Sequence, residues 1–270
     1  MTNTLSTITF IKKQRIKPYY HSSAITGMVP KLFFKTQKIR VSIRDARKLK
    51  HHNFDKHGFV LLKYKKSFNS ENIDNNLNSY KEELTSFLKN IFNFQYINIF
   101  DLTKRSNKKE GANNLDGPRQ PADRAHVDYT LKSGPERAKA ILGKKKFSKA
   151  IKKNKRIMQL NVWRPLCDTV YTSPLAFADA RSIDTNDLIA TDQYFPNRVG
   201  EIYHLAYNPG QIWYWVPKMK NSEIILLKGW DSINNKEIAR FTPHTSFNLV
   251  NQDINKYPRE SIEARIFLIL

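Results

Sequence analysis

Met158-Gln159-Leu160-Asn161-Val162-Trp163 puts Gln159, Asn161 and Trp163 on one face of an extended segment and Met158, Leu160 and Val162 on the other. Polar groups and a large ring on a shared face line an interior. Strand-like runs recur after it, at 175–178, 201–206, 211–216, 223–229, 244–250 and 261–270. Many short strands separated by turns, with helices mainly in the first half, predict a mainly β chain with supporting α, either a β-barrel or a double-sheet jelly roll.

Toward the N-terminus, residues 39–43 alternate and 58–64 are rich in Val, Leu and aromatic side chains, which predicts two early strands. The charged stretch 44–57 between them reads as loop. In 78–92, Tyr80, Leu84, Phe87, Leu88 and Ile91 recur at three- and four-residue steps, which predicts an amphipathic helix. Residues 104–125 hold Gly111, Gly117, Pro118 and Pro121 and few apolar side chains, so they read as a long surface loop, and 134–154 as a basic helix. With no internal repeat and no long linker, a single domain over 1–270 is expected, with about 1–42 as an N-terminal extension packing on the core.

Composition narrows the function. Of 270 residues, 40% are hydrophobic and 12% aromatic, enough for a core of native size, so the chain is not wholly disordered. No apolar run reaches the roughly 20 residues that span a bilayer, and the first residues lack a signal-peptide pattern, so the expected location is cytoplasmic with no membrane partner. The single cysteine, Cys167, excludes an internal disulfide and any multi-cysteine metal site, and no activating partner is evident for it. Metal chemistry must come from His and carboxylates.

The 46 Lys plus Arg against 24 Asp plus Glu leave a charge of +22, which concentrates anions such as nucleic acid, a phosphorylated carrier or an acidic metabolite. Abundant Lys, Asn and Ile are also what AT-biased coding yields. The densest basic block, 144–156, has few interleaved aromatics and reads as a solvated helix face, since base-stacking platforms need aromatics among the cations.

Chemistry concentrates in Arg124-Ala125-His126-Val127-Asp128, where an extended backbone aims His126 and Asp128 at one point. A second imidazole must come from elsewhere, and His244 follows a turn and opens a predicted strand. Two imidazoles and one carboxylate are the ligand set of the non-haem Fe(II) facial triad, which leaves three positions for co-substrate and dioxygen. A lone His-x-Asp is also found as a hydrogen-bonded loop histidine. Further on, Arg259 and Ser261 alternate onto one strand face, and a planar guanidinium with a hydroxyl suits the distal carboxylate of 2-oxoglutarate. The competing reading pairs that arginine with Glu260 or Glu263. Arg265 joins Arg259 and Ser261 as a candidate co-substrate residue, and Arg124, Asn161 and Trp163 are candidate substrate residues, Trp163 equally suiting a buried anchor. His21, His51, His52, His57 and His204 have no comparable partners and read as structural or exposed. Trp213 and Trp215 read as core strand.

The succession of these motifs is similar to the hydroxylase/desaturase family of secondary metabolism. The likeness rests on 43–47 with 55–59, 125–128, 161–166, 174–176 with Asp179, Trp213-Tyr214, Asp231-Ser232, His244 with Phe247, and 259–265, in matching order from about residue 43 to the end. It implies a double-stranded β-helix core and an Fe(II)/2-oxoglutarate-dependent oxygenase using O2 to hydroxylate or desaturate a small natural-product intermediate, with a pathway partner enzyme. Position by position, it implies His126, Asp128 and His244 as iron ligands and Arg259 with Ser261 as the co-substrate grip. The sequence departs from the likeness at Pro243-His244-Thr245-Ser246, where Ala is expected near the His. Two rivals remain: a nucleic-acid alkyl demethylase, which shares His-x-Asp, a distal His and two arginines spaced like Arg259 and Arg265, and a non-catalytic cupin-like binding module.

Overall fold

The structure is a computed structural model and describes residues 3–270 apart from 28, 52, 65–72, 74–75 and 116, so His52 lies outside the described residues. In chain order the strands are β1 (Asn3–Ile11), β2 (Tyr19–His21), β3 (Lys31–Leu32), β4 (Thr36–Asp45), β5 (Phe59–Lys63), β6 (Tyr96–Ser106), β7 (His126–Val127) and β8 (Ile157–Pro165). They continue with β9 (Leu175–Ala178), β10 (Leu188–Phe195), β11 (Arg198–Leu205), β12 (Trp213–Trp215), β13 (Glu223–Asp231), β14 (His244–Ser246) and β15 (Glu260–Ile269). The helices are α1 (Ser23–Thr26), α2 (Phe54–His57), α3 (Leu77–Lys89), α4 (Ser133–Leu142) and α5 (Lys144–Lys152).

Two sheets carry the fold, one in the order β1-β4-β12-β9-β14-β7-β11-β10-β2-β3 and one in the order β5-β13-β8-β15-β6. From β6 to β9 the chain alternates between them, small sheet to large, and from β12 to β15 it does so again. That path is the double-stranded β-helix, with the β10–β11 hairpin inserted between β9 and β12. The jelly-roll core expected from the sequence is therefore present.

Alternation along β8 makes both faces useful. Leu160 and Val162 pack outward with Ile262 and Ala264 of β15 and with Tyr80, Leu84 and Leu88 of α3. Trp163 turns inward, into a cluster with Phe59, Phe177, Tyr214 and Ile225 that joins the two sheets. Burial of such aliphatic and aromatic side chains stabilises the sandwich by roughly 1.5–3 kcal/mol each.

Three local expectations change. The basic stretch 134–154 is two helices, because Gly143 at φ +82 breaks the helical path between α4 and α5. The loop expected from 104 starts later, since β6 pairs with β15 through Ser106. Within the stretch expected as an extension on the core, the described residues from Asn3 on supply strands of the large sheet: β1 pairs with β4 from Asn3↔Arg44 to Ile11↔Thr36, and β4 lies parallel to β12. The proposed edge at 42 falls inside β4, whose backbone groups are satisfied only in the ladder.

Candidate metal centre and its cavity

β7 and β14 are neighbours in the large sheet, with His126 directly across from His244. This register explains how residues distant in sequence meet. The two imidazole centroids are 4.5 Å apart, His126 Nε2 lies 3.8 Å from Asp128 Oδ1, and the ligand atoms of His126, Asp128 and His244 all lie within 4.8 Å of one another.

Each histidine is oriented through its other nitrogen. His126 Nδ1 is 2.8 Å from the carbonyl of Arg124, and His244 Nδ1 is 3.1 Å from the carbonyl of Thr242. A carbonyl only accepts, so Nδ1 carries a proton in both rings and Nε2 is the atom each ring has left for a cation. Burial, with His244 beside it, pushes the His126 imidazole down to about 3, which keeps it neutral. Burial acts to raise Asp128, but Arg265, the two histidines and a hydrogen bond from Asn161 outweigh it and hold the carboxyl well below the usual carboxylate range. Two imidazoles and a carboxylate are a donor set that suits a divalent first-row metal.

Several expected residues are placed differently from their expected roles. Asn161, expected to face substrate, donates Nδ2–H to Asp128 Oδ2. Arg265, expected to share the co-substrate, is taken up by carboxylates: Nη1 is 2.6 Å from Asp101 Oδ2, Nε 3.3 Å from Asp128 Oδ2 and Nη2 2.6 Å from Glu263 Oε1. Trp163 is buried in the inter-sheet cluster, with the Arg259 guanidinium 5.7 Å from its ring centroid. Neither Asn161 nor Trp163 lines the main cavity.

Arg259 is 2% exposed, and among the described residues its guanidinium makes one hydrogen bond, Nη1–H to the Ser173 carbonyl at 2.7 Å. Its Nε has no acceptor, and the buried Ser261 hydroxyl has no partner either. Burial, then the nearby Arg105, push the guanidinium down from its ordinary value. Arginine keeps its proton in proteins, so this is a buried cation that lacks an anion. A carboxylate of a small dicarboxylic acid fits these two orphaned donors. The surface pairing of Arg259 with Glu260 or Glu263 does not form.

A cavity of about 1090 Å3 opens beside the triad and is lined by His126, Asp128, Arg124, Arg105, Tyr20 and His204 among others. Arg124, expected to face substrate, lines this cavity. Arg105 falls in the stretch that reads as loop from 104, and Tyr20 in the stretch that reads as an N-terminal extension, so neither is a site candidate in the sequence. The alternation Asp101, Thr103, Arg105 along β6 is the signal that would have found Arg105. His204, read as lacking partners, is buried one strand over from His126 and packs against Tyr20 and Phe34.

A double-stranded β-helix with two histidines and an aspartate gathered at adjoining strands of the large sheet defines a jelly-roll scaffold with a candidate metal centre. The chain belongs to the family described as the oxidoreductase/YMDC permease-like domain, which matches residues 8–269. Among curated relatives, it is 37% identical over 120 residues to hydroxylase/desaturase asaB of Aspergillus flavus, covering 39% of this chain and 52% of that protein. It is 28% identical over 226 residues to alpha-ketoglutarate-dependent dioxygenase tstK of Talaromyces stipitatus, covering 79% of this chain and 78% of that protein. The chain thus spans about half the length of the first of these relatives and most of the second. The solved structure of the iron and alpha-ketoglutarate-dependent endoperoxidase NvfI has the same fold, with a TM-score of 0.85 at 22% identity over 99% of this chain and 98% of that one. The likeness to hydroxylase/desaturase proteins expected from the sequence is borne out. Among the described residues no helix is long and apolar enough to cross a membrane.

Proposed function

We propose that this chain is a single-domain Fe(II)/2-oxoglutarate-dependent oxygenase that hydroxylates or desaturates a small natural-product intermediate. The observation that carries the reading is the pairing of two features: three metal-type donors with both histidine Nε2 atoms free, and a buried, anion-less Arg259 beside an orphaned Ser261 hydroxyl. His126, Asp128 and His244 would hold the iron, and Arg259 with Ser261 would hold the distal carboxylate of 2-oxoglutarate. When bound, iron, 2-oxoglutarate and O2 together supply an oxidant strong enough to take hydrogen from an unactivated carbon.

The chain's own residues bind, orient and exclude water. The carbonyls of Arg124 and Thr242 fix the histidine tautomers, while Asn161 and Arg265 fix the Asp128 carboxylate. Trp163 walls the co-substrate region with an apolar ring, and Arg124 faces the substrate cavity. The printed names of the relatives, hydroxylase/desaturase and alpha-ketoglutarate-dependent dioxygenase, support the same chemistry. A cytoplasmic location, a pathway partner enzyme and an anionic substrate belong to this proposal, the last supported by the +22 charge.

The test is succinate release from 2-oxoglutarate with Fe(II) and ascorbate, and its loss in His126→Ala and Asp128→Ala. Turnover unchanged in both variants removes the iron assignment. Titration with oligonucleotides across salt concentrations separates the demethylase rival, since phosphate contacts give a steep salt slope.

A further inference from the structure

We infer that the cavity beside the triad takes a small molecule bearing a carboxylate or phosphate, and that Arg105 and Arg124 grip this anion. The inference rests on the oxygenase reading only for calling that molecule the substrate.

Arg124 lies on the extended segment that leads into His126, and its side chain lines the cavity. Its Nε is buried with no acceptor among the described residues. Its ion pair is Nη1 to Asp123 Oδ1 at 3.2 Å, and the Asp123 side chain is 74% exposed, so water screens that pair and leaves it weak. Arg105 lines the same cavity from β6, and among the described residues its guanidinium donates once, to the Gln120 carbonyl at 2.8 Å, with no ion pair.

The nearby protein carboxylates are already committed. Asp101, Asp128 and Glu263 all contact Arg265. Burial pushes the Arg105 guanidinium down, with Arg265 and Arg119 adding to the cationic crowding against Glu263 and Asp128. A guanidinium answers such crowding by taking an anion, not by losing its proton. Tyr20 lines the cavity within electrostatic reach of both arginines, and burial raises its phenol, so it stays a hydrogen-bond donor.

This anion is distinct from the co-substrate. Arg259 and Ser261 already offer matched orphan donors for one dicarboxylate, and neither lines the cavity. Arg105 does stand across from Ser261 in the β6–β15 register, so co-substrate is the competing source of the same chemistry.

The experiment is calorimetric titration of the full chain, loaded with redox-inert Mn(II), with inorganic phosphate and with benzoate, before and after saturation by 2-oxoglutarate. At least one probe binds saturably with 2-oxoglutarate already present. Arg105→Gln and Arg124→Gln each weaken that probe by about tenfold or more, the worth of one charge-assisted hydrogen bond, and leave 2-oxoglutarate affinity intact. Arg259→Gln does the reverse. The inference is overturned if neither probe binds the unsubstituted chain, if both glutamine variants bind it as well as before, or if they lose 2-oxoglutarate instead. Probe binding that needs Arg105 and Arg124 in a chain that never binds 2-oxoglutarate keeps the inference and removes the oxygenase reading. If the variants do not fold, benzoate protection of Arg105 and Arg124 from phenylglyoxal in the unsubstituted chain decides. Protection supports the site, and equal labelling with and without benzoate overturns it.

Discussion

Thr242 orients the His244 ring: the Thr242 carbonyl is 3.1 Å from His244 Nδ1, while the Thr242 hydroxyl donates to the Gly58 carbonyl at 2.6 Å. A turn after α2 thus sets the position of a histidine far along the chain. Gly58 ends α2 at φ +79, and a Cβ there would stand 2.3 Å from the Thr242 hydroxyl. Gly58→Ala is therefore expected to destabilise the fold by about 1–3 kcal/mol and to weaken metal binding as well. Thermal melts with a parallel Mn(II) titration check both, and normal metal affinity in a destabilised variant would show that Thr242 does not transmit the strain.

Asn161 donates to Asp128, the carboxylate proposed to bind metal, without lining the cavity. Asn161→Ala removes its hydrogen bond to Asp128 and is expected to lower metal affinity about 10–100-fold while the chain still folds. Asp128→Ala should abolish binding. Mn(II) titration followed by paramagnetic resonance distinguishes the two, and equal affinities for Asn161→Ala and the unsubstituted chain would count against the assignment.

Arg259 and Ser261 should differ in weight. Replacing the planar fork with a point charge in Arg259→Lys is expected to cost 2-oxoglutarate binding about 1.5–3 kcal/mol, with a smaller loss in Ser261→Ala. Calorimetry on the Mn(II)-loaded chain reads this directly. A lysine variant that binds as well as arginine would mean the carboxylate sits elsewhere.

Acid stability has a separate origin. Arg156 bridges Asp55 and Asp231, and the fully buried Lys228 lies 2.7 Å from Asp55 and 3.1 Å from Asp231. The Arg156 hydrogen bond, then Lys228 against the opposing effect of burial, lowers the Asp55 carboxyl from 3.8 to about 2. A depressed folded-state value stabilises the fold above 3.8, and that contribution is lost as pH falls toward about 2. Denaturant melts across this window should show a shallower decline for Asp55→Asn than for the unsubstituted chain. Parallel declines would remove Asp55 from the account.

Much of this protein is legible in its sequence. Period-two alternation in 158–163 reports a strand with one face in the interior, and the three- and four-residue steps of Tyr80, Leu84 and Leu88 report a helix, because local backbone geometry alone decides which side chains share a face. His126 and Asp128 are adjacent enough in sequence to be read as a pair for the same reason. The break at Gly143 and the start of the loop after β6 were harder, since they depend on whether a partner strand or helix continues the ladder.

What the sequence by itself determined is therefore a mainly β chain, barrel or jelly roll, and the donor types proposed to hold a metal and a dicarboxylate. Only tertiary structure decided that His244 stands across from His126, that Arg265 and Asn161 serve Asp128, and that Arg105 faces a cavity instead of solvent. Those facts follow from the pairing register of strands far apart in the chain, and a carboxylate's partner depends on which side chains that register brings within hydrogen-bond reach.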